Sequence, residues 1–197
     1  MGEEGTFHRM TLNDLSPLEQ DILISGPFRL MPDRDKTGRA IIVSDRFKWY
    51  SNKTDESRRS MLKVVFYMAL ASLEDEEVQR IGVVLIFGTS QIVRYDMFDR
   101  KLTRQLAQVI FPGFIHMNAM HFCYKGLGVI QFLVPIVLYI IGSDYRERVQ
   151  IHTGTIQDMI SKLEEFGMSA SSLPTDIGGG LAFSQKDWVE DRRKRNL

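Results

Sequence analysis

The sequence predicts an α/β layered domain with a mostly parallel central sheet, and three observations predict it. The run Ile81-Gly82-Val83-Val84-Leu85-Ile86-Phe87 is continuous, apolar and rich in β-branched residues, the pattern of a short strand buried on both faces. Stretches with helical periodicity alternate with it and with other strand-like runs, the order from which parallel sheets are built. The chain has 197 residues, 44% of them hydrophobic and 25% charged, enough to bury about 70% of its unfolded surface in one core.

Taken in order, residues 1–25 are polar, with a short helix started by Ser16-Pro17. Residues 28–31 are extended, and Asp33-Arg34-Asp35-Lys36-Thr37-Gly38-Arg39 is a turn in which Gly38 is free to take a positive φ. The β-branched run from Ala40 to Val43 reads as a strand, and together these segments form a hairpin or a strand entry. Residues 57–73 form a helix with two overlapping stripes, Met61, Val65, Met68 and Leu62, Phe66, Ala69, Leu73, so its apolar face is broad. The charge run at residues 74–77 reads as a solvated helix end, and Gly88-Thr89-Ser90 ends the buried strand.

Phe98, Leu102, Leu106, Val109 and Ile110 mark a second amphipathic helix, stopped by Pro112-Gly113. Residues 114–123 read as a third strand, an apolar helix starts near Leu127, and Val149-Gln150-Ile151-His152 is a fourth strand. Thr155 caps a helix carrying Ile156, Met159, Ile160, Leu163 and Phe166, with Gly167 as its stop. The C-terminus reads as a basic tail ending in Arg192-Arg193-Lys194-Arg195. The expected organisation is a polar or helical segment over residues 1–25, the folded domain over 26–183 and the basic tail over 184–197.

Charge and cysteine content exclude several functions. Twenty-five basic residues balance twenty-five acidic ones, which argues against generic nucleic-acid binding. The single Cys123 excludes an intramolecular disulfide framework and an all-cysteine zinc site. The opening Met1-Gly2-Glu3-Glu4 lacks the basic flank and apolar run of a secretory signal, so a cytoplasmic setting is expected; it fits the acylation pattern poorly, with an acid after Gly2.

The segment GLGVIQFLVPIVLYIIG, residues 126–142, is the main anomaly. It is apolar on nearly every face, more than a sheet-covering helix needs. A spanning helix needs about 20 apolar residues, and this run is shorter and holds Pro135, so a buried or membrane-surface helix is expected.

In this order the chain resembles the CRAL-TRIO family, the lipid-binding domains of retinaldehyde and tocopherol carriers and of fungal phosphatidylinositol transfer proteins. The resemblance rests on Asp35-Lys36-Thr37-Gly38-Arg39-Ala40-Ile41-Ile42, close to the family's D-x-x-G-R-P-V, and on the buried strand that follows. It rests also on the proline-containing apolar helix and Tyr145-Arg146-Glu147-Arg148-Val149-Gln150-Ile151-His152. Most specific is Leu173-Pro174-Thr175-Asp176-Ile177-Gly178-Gly179, similar to the closing L-P-x-x-x-G-G. Phe87-Gly88 stands where the family often has an acid, and Phe122-Cys123-Tyr124 where it often has Asn-x-Pro.

The resemblance implies a hydrophobic lipid pocket closed by a mobile gate helix over residues 127–141. Its expected lining is Val84, Ile86, Met117, Ala119, Ile130, Val134 and Leu138, chosen by apolarity and position. Arg146, Arg148, Arg192, Arg193 and Lys194 are the expected contacts to a phosphoinositide-type head group or an anionic membrane surface. The expected function is noncovalent lipid binding, with transfer during transient, peripheral membrane contact. No cofactor, metal or nucleic-acid partner is expected. The alternative is an interaction module on the same fold with a filled pocket.

An enzyme is not expected. His121 and Cys123 share a strand face, but neither a third ligand nor an orienting acid lies near them in sequence, and Cys123 reads as a small buried apolar residue. Gly178-Gly179-Gly180 follows Leu-Pro rather than a strand, so it reads as a tight turn and not as a phosphate cradle.

Overall fold

The computed structural model describes residues 10–49, 53–88, 95–110, 115–126 and 128–197. Gly2, the Thr89-Ser90 strand ending, the Pro112-Gly113 stop, Phe114 and Leu127 lie outside them. The fold is α/β, with a mixed five-stranded sheet in the order β1-β2-β3-β4-β5. β1 (Phe28–Arg34) runs antiparallel to β2 (Ala40–Asp45). β3 (Val83–Gly88), β4 (Met117–Tyr124) and β5 (Val149–Thr153) follow in parallel.

The hairpin at the sheet edge shows why its turn has the sequence it has. Asp35 is buried, and its carboxylate accepts from the Thr37 and Arg39 main-chain N–H groups, the Thr37 hydroxyl and Arg39 Nε, at 2.6–2.9 Å. Burial alone would raise its pKa; these hydrogen bonds outweigh it and hold the carboxyl below its usual range. Gly38 takes φ +84° as the chain turns back, and Lys36 N donates to Gly167 O, tying the turn to the segment just after Glu165.

Strands that pair in sequence order through right-handed crossovers place their connecting helices on one face. Here α2 (Asp55–Ser72) and α3 (Glu76–Ile81) link β2 to β3, and α4 (Arg100–Ile110) links β3 to β4. β4 leads to β5 through α5 (Ile130–Ile141) and the one-turn α6 (Ser143–Arg146). Met61, Val65, Met68, Leu102, Leu106, Val137 and Ile141 accordingly share one buried cluster with Leu85, Phe87, Met120 and Phe122. α1 (Pro17–Ser25) and α8 (Gln185–Lys194) add Leu23 and Val189 to it. The second face is covered by α7 (Ile156–Glu165), whose Met159, Ile160 and Leu163 pack on Ile41, Val43, Val84 and Ile86.

Local chemistry sets the helix ends. Ser16 accepts from Glu19 N with Pro17 as first helical residue, and Thr155 accepts from Asp158 N in a reciprocal capping box. The expected α2 stripe of Met61, Val65 and Met68 is buried, whereas Phe66 of the second stripe is 37% exposed. The acids at 74–77 are no frayed end: Asp75 caps α3, placing Glu76 and Glu77 in its first turn, where the helix dipole favours them.

Two boundaries need correction. The residues expected as a free basic tail form α8, capped by Ser184. Beyond α8, the main-chain oxygen of Leu197 accepts from Leu12 N and Tyr67 Oη. Residues 12–25 and α8 therefore contribute Leu12, Leu15, Leu23 and Val189 to the one core rather than flanking it. No helix among the described residues is long and apolar enough to cross a membrane.

Candidate functional site

α5 is the element around which a site can be built. Leu133, Val137 and Ile141 point inward and are buried, three residues at helical spacing. The outward side carries no charge within the helix: Phe132 is 66% and Tyr139 69% exposed, two turns apart, with exposed Pro135 and half-buried Ile136 between them. Pro135 lies inside the helix and has no N–H to give to the preceding turn. Ile151 on the edge strand β5 is also exposed, and it pairs with Phe122, which faces the α5 side of the sheet. Exposed Lys125 precedes this apolar surface and exposed Arg146 follows it.

The seven expected pocket residues do not converge on one cavity. Val84, Ile86 and Ala119 belong to the face under α7, while Met117 and Val134 belong to the face under α5. Strand parity explains the first part: Val83, Leu85 and Phe87 are the β3 residues on the α5 side. A bulge explains the second. Val83 pairs with Met117 but Val84 with Ala119, so Asn118 is inserted, and two residues that alternation puts on one face fall on opposite faces. Leu138 is half-buried on α5, and the Ile130 side chain lies outside the described residues.

The expected basic contacts divide as well. Arg192 is a correction: it is 3% exposed, with Nη1 and Nη2 bonded to both Glu74 oxygens at 3.0 and 2.7 Å and Nε to Tyr67 Oη at 2.6 Å. It lies over the Tyr67 and Trp188 rings, so its charge is spent inside the fold and does not reach a membrane. The one helical turn that buries Arg192 exposes Arg193 and Lys194, and Arg193 donates to Gln20 Oε1. Arg146 Nε donates to Leu138 O, holding the end of α5, and Arg148 Nη1 donates to Met117 O while stacking on Tyr145. Both stay exposed at the β5 end of the sheet.

On the α7 face, His121 Nδ1 lies 2.9 Å from His152 Nε2, with the Phe166 ring edge-on to His121. Burial, then the charges of His152 and Arg39, push the His121 pKa down to about 4, with Asp35 acting the other way. Burial and then Lys162 lower His152 as well, against Glu165. Cys123 sits opposite His152 in the parallel register, and burial pushes its thiol up to about 12, far from a reactive thiolate. No group of three His, Cys, Asp or Glu among the described residues could hold a metal ion. Sequence reasoning placed His121 and Cys123 on one face but missed His152 as their neighbour. The missing step was the β4–β5 register, which sets positions 121–123 beside 150–152.

The triple glycine is a turn. A Cβ on Gly178 would stand 2.0 Å from Ile156 Cγ2, and one on Gly179 2.0 Å from Leu173 O. Pro174 bridges to Leu181, closing the strap over the second face. A cleft of about 660 Å³ opens where the hairpin, α3 and α8 meet, lined by Leu30, Pro32, Val78, Phe183 and Trp188 among others. Its arginines are paired: Arg34 with Asp75, Arg192 with Glu74 and Arg195 with Asp191.

A scan of the chain against models of known protein families finds no match, and a search of curated proteins finds no relative.

Proposed function

We propose that this domain binds a hydrophobic lipid noncovalently and exchanges it while docked on a membrane through α5. The observation that carries the reading is the helix apolar on both sides, with Phe132 and Tyr139 exposed and Leu133 and Val137 buried. A water-facing helix gains nothing from an uncharged outer face; a helix resting at a bilayer surface does. Pro135 supports movement of α5, since the lost backbone bond weakens the helix at its middle. Lys125 and Arg146, with Arg148 beside them, stand where anionic head groups would meet the domain. The motifs across residues 33–180 that resemble those of CRAL-TRIO domains support the same class of ligand.

Native mass spectrometry of the purified protein, followed by organic extraction, tests the reading. A bound lipid is the expected result, and Phe132→Ser with Tyr139→Ser should abolish uptake from vesicles without unfolding the domain. A protein that stays empty after incubation with mixed liposomes overturns lipid carriage. One observation favours a second reading, a membrane-docking module without cargo. Leu133, Val137 and Ile141 are buried, and Val137 and Ile141 join the cluster that holds the stacked Phe87 and Phe122 rings, 4.6 Å apart. That module binds vesicles through the same two aromatics but never carries lipid.

A further inference from the structure

A second site emerges at the opposite edge of the sheet, independent of α5. Arg29 on β1 is 3% exposed. Its Nη1 bonds Asp176, at 3.0 Å to Oδ1 and 2.8 Å to Oδ2. Its Nε and Nη2 are buried and find no hydrogen-bond partner among the described residues. Those two nitrogens form one edge of the guanidinium, two parallel N–H donors with the spacing of an oxyanion's oxygens.

Gln185 is the first residue of α8 and is 7% exposed, and neither its Oε1 nor its Nε2 has a partner among the described residues. The two side chains are neighbours. A Cβ placed on Gly26, which has φ +72°, would stand 3.3 Å from Arg29 Cδ and 3.4 Å from Gln185 Cβ. Buried donors and acceptors left unmet are costly, so two such side chains flanking Gly26 point to a ligand between them.

We propose that Arg29 and Gln185 form a binding site for a phosphomonoester or inorganic phosphate. Two oxygens take the free Arg29 edge and the third non-ester oxygen, as P–OH, faces the Gln185 amide; in inorganic phosphate the fourth oxygen also accepts from Gln185 Nε2. That P–OH donates to Gln185 Oε1, a bond that neither a carboxylate nor a phosphodiester monoanion can supply. The local charge suits an anion: Arg29 and Lys48 face the single carboxylate of Asp176, with Lys48 Nζ 3.8 Å from its Oδ2. Gln185 opens α8, so the positive end of that helix dipole adds to the field. The Asp176 and Lys48 side chains are partly exposed.

The test is thermal unfolding of the full chain against inorganic phosphate and against dioctanoyl phosphatidic acid, with chloride at matched ionic strength as control. A saturable rise in Tm with either probe is expected, absent with chloride. A response to inorganic phosphate marks a free-phosphate site, and one to the lipid alone a head-group site. Gln185→Glu places a carboxylate of the protein's own beside Arg29. It should raise the Tm without phosphate and remove the phosphate response, while Gln185→Leu should weaken phosphate about tenfold. No response to either probe in the native chain would mean that buried water fills the Arg29 edge, and overturns the proposal. An unchanged phosphate response in folded Gln185→Glu overturns it equally.

Discussion

His121 and His152 are neighbours across β4 and β5, with Nδ1 and Nε2 2.9 Å apart, and that contact accommodates only one hydrogen. One ring donates and the other accepts, so a second proton would set two N–H groups against each other. Arg39, Asp35, Lys162 and Glu165 are the charged groups acting on the pair. Because the His121 pKa falls from 6.5 to about 4 on folding, the unfolded chain takes up protons first. The stabilisation is complete above pH 6.5 and is lost as pH falls from there toward 4, of order ~3 kcal/mol for His121. Urea unfolding midpoints should therefore rise from pH 4.5 to 6.5 and level off above. Replacing both residues by Gln, which keeps a donor and an acceptor, should flatten that rise. Asp35 and Asp99, whose pKa values are lowered, act below this window.

Within the triple glycine the three positions are not equivalent. Gly179→Ala sets its Cβ 2.0 Å from the Leu173 carbonyl oxygen, a backbone atom that cannot move aside. Gly180→Ala meets nothing closer than 3.6 Å. The first should cost at least ~3 kcal/mol and the second under ~0.5 kcal/mol, measured by chemical denaturation. Equal costs would mean that the strap over the α7 face is looser than described.

The sequence made the parallel sheet legible because its signals are local. The β-branched run at 81–87, the Ser16 and Thr155 caps and the Asp35-to-Arg39 turn each act within a few residues. What escaped depended on register. One inserted residue, Asn118, sends Met117 and Ala119 to opposite faces, and no periodicity in a single strand reveals an insertion relative to its neighbour. Arg192 was misread for a similar reason. A run of four basic residues has the composition of a solvated tail, and only the docking of α8 against Tyr67 and Glu74 picks out the one that turns inward. The Arg29 and Gln185 pair left no mark at all, being 156 positions apart and joined only by the packing of α8 against Gly26.

Arg192 and Lys194 give opposite expectations although they are two residues apart. Arg192→Ala removes two hydrogen bonds from Glu74 and one from the Tyr67 hydroxyl, and takes packing from the Trp188 ring. It should cost ~2–4 kcal/mol, less than a fully buried pair because the Glu74 side chain is 29% exposed. Lys194→Ala lies on the exposed side of α8 and should leave stability unchanged within ~0.5 kcal/mol. Any loss of binding to anionic vesicles should follow the reverse order, with folded Arg192 variants binding normally and Arg193→Ala with Lys194→Ala binding less. Vesicle co-sedimentation in low and high salt distinguishes the two roles.

Pro135 separates stability from exchange. It sits mid-helix on the exposed side of α5, so Ala fits there without a clash and restores a main-chain donor to the Gln131 carbonyl. An interior proline costs a helix about 3 kcal/mol, and its replacement returns up to ~1 kcal/mol of freedom to the unfolded chain. The net expectation for Pro135→Ala is a gain of about 2 kcal/mol, read from denaturant midpoints at unchanged slope. If α5 must yield for lipid to enter, the same change should slow uptake of a fluorescent lipid from donor vesicles while leaving vesicle binding intact, because Phe132 and Tyr139 are untouched. Faster or unchanged uptake in the stabilised variant would show that lipid enters without any opening of this helix.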